Sequence, residues 1–124
     1  MPMDDIYQEY LIELYKHPKN QGELDTDYKA QVYNVSCGDM VTLYLKIKEN
    51  KVVDAKFIGR GCVISQASSS LFTGFIKGKT IDEIRKINKK DVLGLLKIDL
   101  SKNPTRIKCA LMPLEALREI RKKL

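Results

Sequence analysis

Val41-Thr42-Leu43-Tyr44-Leu45-Lys46-Ile47-Lys48, a break at Glu49-Asn50, then Lys51-Val52-Val53-Asp54-Ala55-Lys56-Phe57-Ile58: the reading of this stretch decides the fold. Strict alternation in the first run puts Val41, Leu43, Leu45 and Ile47 on one face of a strand. Thr42, Tyr44, Lys46 and Lys48 take the other. The second run returns as a strand with Val53, Ala55 and Phe57 on one face. Glu49-Asn50 is short enough for a hairpin turn, although it lacks the glycine of the strongest hairpin signals. Upstream, residues 29–35 add a weaker strand carried by Val32, Tyr33 and Val35. A three-stranded antiparallel meander with one wet face follows.

Helical spacing flanks this meander. Asp4 to Lys16 reads as a first helix, with Ile6, Tyr10 and Leu14 on one stripe, Tyr7 and Leu11 beside it, and Pro18 as its stop. Tyr7, Tyr10 and Tyr15 are expected to pack. Val63 to Lys77 reads as a helix with Ile64, Leu71 and Phe75 apolar. Its Ser65, Ala67, Ser68, Ser69 and Ser70 make a small surface that permits close approach of another element. Thr80-Ile81-Asp82-Glu83 is a capping box for a short helix bearing Ile81, Ile84 and Ile87. Asn88 caps another through Leu96, and residues 97–105 look irregular. A last helix runs to near Leu124, with Leu114, Leu117 and Ile120 apolar. It starts near Arg106 with a kink at Pro113, or near Met112 with Pro113 in its first turn. Strands followed by helices, without βαβ alternation, predict an α+β fold. The expectation is a three-stranded antiparallel sheet with helices packed on one face, in a single domain spanning residues 1–124.

A chain of 124 residues buries enough surface to fold without a disulfide or structural metal, so a bound metal would point to function. Three cysteines exclude a secreted disulfide framework. Met1 to Tyr10 carries two aspartates and lacks the apolar core of a signal peptide, and no apolar run reaches a membrane span, so a cytoplasmic protein is expected. The net charge is +6, from 22 basic and 16 acidic residues. The basic residues are spread out and no nucleic-acid-binding signature accompanies them, which favours a solvated helix face over a nucleic-acid partner. The serines at 68–70 have no paired His and Asp, and no nucleotide-binding glycine loop is present. His17 reads as a solvated loop histidine.

The chemistry lies with Cys37, Asp39, Cys62 and Cys109. Between Cys37 and Cys62 stand 24 residues, and between Cys62 and Cys109 stand 46, so no Cys-x-x-Cys pair exists. Topology supplies the link. Cys37 precedes the second strand and Cys62 follows the third, which puts both at one end of a hairpin. Cys109 is able to join them from the start of the last helix. Gly38 lets Cys37 and Asp39 face one ion, and Cys62 stands at a helix N-terminus, which favours its thiolate. Three sulfurs and one oxygen suit zinc. Cluster iron is normally held by four thiolates, so a carboxylate in their place gives a looser site. Taken singly, each cysteine reads as a small buried hydrophobe.

Ser-Cys-Gly-Asp at 36–39, Thr42-Leu43-Tyr44-Leu45, Asp54-Ala55-Lys56-Phe57 and the run from Gly59-Arg60-Gly61-Cys62 to Ala67-Ser68 together resemble the NifU N-terminal/IscU/SufU family of iron–sulfur cluster assembly scaffolds. His17-Pro18-Lys19-Asn20-Gln21-Gly22 and Arg106-Ile107-Lys108-Cys109-Ala110 resemble two further family segments. The resemblance implies a site of Cys37, Asp39, Cys62 and Cys109 that binds iron or a labile cluster, a transient 2Fe-2S, with zinc as an alternative occupant. It implies a cysteine desulfurase as sulfur donor, with Cys109 or Cys37 as the persulfide acceptor, and apo iron–sulfur proteins as recipients. Lys108 stands where the IscU branch has histidine, as in SufU-like members; the two readings are a cation that lowers the thiolate pKa of Cys109 and a solvated lysine. The gap of 46 residues is too short to hold in full the insertion of the SufU branch. Lys102-Asn103-Pro104-Thr105-Arg106 replaces the Leu-Pro-Pro-Val-Lys motif, which puts a dedicated Hsp70-type chaperone in doubt. The functions implied are a scaffold or, as the alternative, a zinc-bound sulfurtransferase; a zinc-only structural adaptor ranks last.

Overall fold

The computed structural model describes residues 2–35, 38–97 and 100–124, with residues 2–8 described as backbone. Ser36-Cys37 and Ile98-Asp99 lie outside the described residues. The chain order is α1 (Pro2–Lys16), β1 (Tyr28–Asn34), β2 (Asp39–Lys48), β3 (Lys51–Arg60), α2 (Val63–Ile76), α3 (Ile81–Arg85), α4 (Lys89–Leu96), α5 (Pro104–Ala110) and α6 (Met112–Arg121). The three strands form one antiparallel sheet in the order β1-β2-β3, as the alternation predicts. Glu49 and Asn50 make the β2–β3 turn with positive φ at both, 51° and 67°. A glycine-free hairpin turn therefore forms, with asparagine tolerating the left-handed conformation better than most residues.

One face of the sheet carries the core. Leu43 and Leu45 of β2 and Val52 and Ala55 of β3 pack with Phe72 and Ile76 of α2 and with Leu114, Leu117 and Ile120 of α6. A β-bulge at Lys46/Ile47 corrects the expected facing of β3. Lys46 pairs with Asp54 and Ile47 with Val52, so Val53 is the extra residue. Val52 is fully buried and Val53 is 51% exposed, the reverse of simple alternation.

α2 is the central helix, and its inner face also departs from the expected stripe. Phe72 and Ile76 are fully buried, whereas Leu71 and Phe75 lie at the margin. The small residues do permit close approach. Ser68 Oγ donates to the Ala110 carbonyl at 2.6 Å, tying α2 to the end of α5. Ser70 Oγ accepts from the Lys19 amide at 3.0 Å, which anchors the loop after α1. Both predicted capping boxes form, Thr80 with Glu83 and Asn88 with Asp91. A second cluster joins Leu11 and Leu14 of α1, Ile64 and Ala67 of α2, Leu96, Leu100, Cys109 and Ala110. Tyr10 and Tyr15 are 39% and 44% exposed, so neither is the packing residue expected. Tyr7 is among the residues described only as backbone.

The C-terminal helical run divides in two. Asn103 caps α5 by accepting from the Arg106 amide, with Pro104 in the first turn. Leu111 separates α5 from α6, and Pro113 sits in the first turn of α6. There its missing N–H breaks no helical hydrogen bond.

Candidate metal centre

Three elements deliver side chains to one end of the sheet. Asp39 opens β2, Cys62 is the N-cap of α2, and Cys109 lies in the last turn of α5. One carboxylate oxygen of Asp39 and the sulfurs of Cys62 and Cys109 all lie within 4.8 Å of one another. The hairpin sets the first two side by side, because Met40 pairs with Arg60 at the same end. Ser68, bonded to the Ala110 carbonyl, holds α5 against α2 one residue beyond Cys109.

Gly61 lets the carboxylate in. It adopts φ +145°, and a Cβ there would stand 2.1 Å from Asp39 Oδ1. In the space this leaves, Oδ1 accepts the Cys62 amide at 3.1 Å. Gly38, at φ 70°, supplies the turn before Asp39 that the sequence demanded. Asp39 is 2% exposed, and its Oδ2 is buried with no hydrogen-bond partner among the described residues. A buried carboxylate oxygen left this way is unfavourable unless something binds it. A cation satisfies it. Cys62 is half-buried and Cys109 is 2% exposed.

The electrostatics of Cys109 run opposite to the expected direction. Burial pushes its thiol well above the ordinary range, and the neighbouring Asp39 carboxylate and Cys62 sulfur push it further. Lys108 is exposed, so its charge is screened by water. A bound metal ion reverses the upward shift, because a coordinating thiol is deprotonated outright. The donor set mixes soft sulfur with hard oxygen, which suits zinc or iron.

Cys37 lies outside the described residues, immediately before Gly38. His17 is exposed, 3.9 Å from Glu13 on its own helix. Two residues that sequence reasoning passed over also belong here. Asn34 stands 3.8 Å from the Cys109 sulfur through Nδ2. Ser65 donates to the Cys62 carbonyl at 3.1 Å. Strand register and the packing of α5 place Asn34 there, whereas Ser65 bonds back to the residue three before it in the sequence.

The sequence matches the NifU-like N terminal domain over residues 6–122. The chain belongs to that family. It is 36% identical to the zinc-dependent sulfurtransferase SufU of Bacillus subtilis, over 94% of this chain and 90% of the relative. It is 37% identical to the iron–sulfur cluster assembly scaffold protein IscU of Thermotoga maritima, over 96% of this chain and 94% of the relative. The crystal structure of a candidate iron–sulfur cluster assembly scaffold for the SUF system from Fervidobacterium islandicum superposes with a TM-score of 0.75 at 30% identity, covering 90% of this chain and 93% of that one. Family membership thus agrees with the α+β architecture and with the expectation drawn from the Cys-Gly-Asp and Gly-x-Gly-Cys segments. Among the described residues, no helix is long and apolar enough to cross a membrane.

Proposed function

We propose that this chain is an iron–sulfur cluster assembly scaffold that accepts sulfur from a cysteine desulfurase. It holds iron or a labile cluster, a 2Fe-2S, through Cys37, Asp39, Cys62 and Cys109, and passes the cluster to apo iron–sulfur proteins. The single observation that carries this reading is the convergence of a carboxylate oxygen of the buried Asp39 with the sulfurs of Cys62 and Cys109, all within 4.8 Å of one another. A carboxylate in place of a fourth thiolate holds cluster iron less tightly, as release to an acceptor requires. Sulfur arrives when a thiolate of Cys109 or Cys37 attacks the outer sulfur of the desulfurase persulfide. The donor S–S bond breaks, a new one forms, and the desulfurase cysteine leaves as a thiolate. The cytoplasm, where thiols stay reduced, suits this chemistry, and residues 1–124 act as one domain.

A second reading is a zinc-bound sulfurtransferase. Lys108 before Cys109 and the 36% identity to the Bacillus subtilis enzyme favour it. The spacing of 46 residues between Cys62 and Cys109 favours the scaffold. Anaerobic reconstitution with a desulfurase, cysteine and ferrous iron separates them. A scaffold develops the visible absorption of a cluster with matching iron and sulfide. Stoichiometric zinc, a raised desulfurase rate and no cluster absorption would overturn the scaffold reading.

A further inference from the structure

Asn34 ends β1, and its register partner across the β1–β2 turn is Asp39. Strand parity gives both side chains the helix-facing side of the sheet, the side used by Val32 and Val41. Asn34 is half-buried there, and its Nδ2 reaches to 3.8 Å from Cys109 Sγ on α5. A carboxamide nitrogen carries two N–H donors and a metal-bound thiolate is an acceptor only, so the pairing has one sense. Cys62 is treated differently. Ser65 Oγ lies 3.9 Å from its sulfur but turns its proton to the Cys62 carbonyl, 3.1 Å away. Of these two sulfurs, the one on α5 faces a fixed N–H donor from a strand.

We propose that Asn34 is a positioning residue for the metal centre: its carboxamide donates to the Cys109 sulfur and holds that sulfur toward Asp39 and Cys62. The hydrogen bond links the end of β1, which carries none of the ligands, to α5. It also withdraws electron density from the sulfur, which changes the bond that sulfur makes to a metal. The metal-binding consequence rests on the site reading above, whereas the hydrogen bond does not.

Two measurements test it. In the apo protein labelled with nitrogen-15, the Asn34 side-chain amide resonances should move and exchange faster with water in a Cys109→Ala variant. In the cobalt-loaded protein, Asn34→Leu, equal in size but without a donor, should weaken cobalt binding on the order of 10-fold. It should also move the sulfur-to-cobalt charge-transfer band to lower energy, and Asn34→Gln should restore most of the band position. A purely structural role for Asn34 leaves the band energy unchanged. Amide resonances indifferent to Cys109→Ala overturn the inference, as does an Asn34→Leu variant with wild-type affinity and band energy. Should the wild-type protein show no sulfur-to-cobalt band, the metal-site reading fails, and the amide comparison alone decides whether the hydrogen bond exists.

Discussion

Replacing Gly61 with alanine should disable the metal centre without altering any ligand atom. The new Cβ would stand 2.1 Å from Asp39 Oδ1, 2.5 Å from its Cγ and 2.9 Å from its Cβ. All three distances are too short for non-bonded atoms, and Asp39 has no long flexible stem to swing aside. Moving the carboxylate breaks its hydrogen bond from the Cys62 amide. Alanine must also adopt φ near +145°, which the native glycine takes freely. The backbone strain is about 1–3 kcal/mol. Loss of a hydrogen bond to a charged group adds roughly 1.5–3 kcal/mol. A combined loss of about 2.5–6 kcal/mol lowers the melting temperature by roughly 10–20 °C for a chain of this size. Urea unfolding of the apo protein reads the stability, and competition with a chromophoric chelator on the same samples reads zinc affinity. Asp39→Ala introduced into Gly61→Ala should be less destabilising than Asp39→Ala alone, because it removes Oδ1 and Cγ from the clash. Wild-type stability with wild-type zinc affinity in Gly61→Ala would refute the close-approach argument. Strict additivity in the double variant would do the same.

Asp39→Ala should keep a reconstituted cluster bound longer when an apo acceptor is added, read as slower loss of visible absorption; outright failure to bind a cluster contradicts the loose-ligand account. Val52→Ala should destabilise the protein by about 2 kcal/mol while Val53→Ala stays within about 0.5 kcal/mol, compared by urea midpoints. Equal effects would refute the bulge assignment. Because folding raises the Cys109 thiol pKa, the folded apo protein keeps a proton that the unfolded chain gives up above about pH 8.5. Apo stability is therefore fully present below that pH and falls as pH rises beyond it. Cys109→Ser, followed by denaturation across a pH series, should flatten that decline.

The order of elements was legible from local chemistry. Alternation in Val41 to Lys48 is a property of the strand itself, and the Thr80 and Asn88 capping boxes close over four residues each. Such signals depend on neighbours in sequence. The facing of β3 was not legible, because one bulged residue exchanges the faces of Val52 and Val53 while leaving the composition of the strand unchanged. The choice of Phe72 over Leu71 as the core residue of α2 likewise depends on where neighbouring elements sit.

By itself the sequence determined the donor types, the Gly38 turn before Asp39 and the hairpin that sets Asp39 beside Cys62. These follow from short-range rules of turn geometry and strand pairing. Only the tertiary structure decided that Cys109 reaches the same place, since α5 is set by its packing on α2 and by the Ser68 bond to Ala110. It alone decided that burial outweighs Lys108 at Cys109, that Gly61 is a space as well as a turn, and that Asn34 faces a ligand sulfur. Burial, close approach and long-range contact depend on what surrounds a residue in space, and the sequence around that residue does not record it.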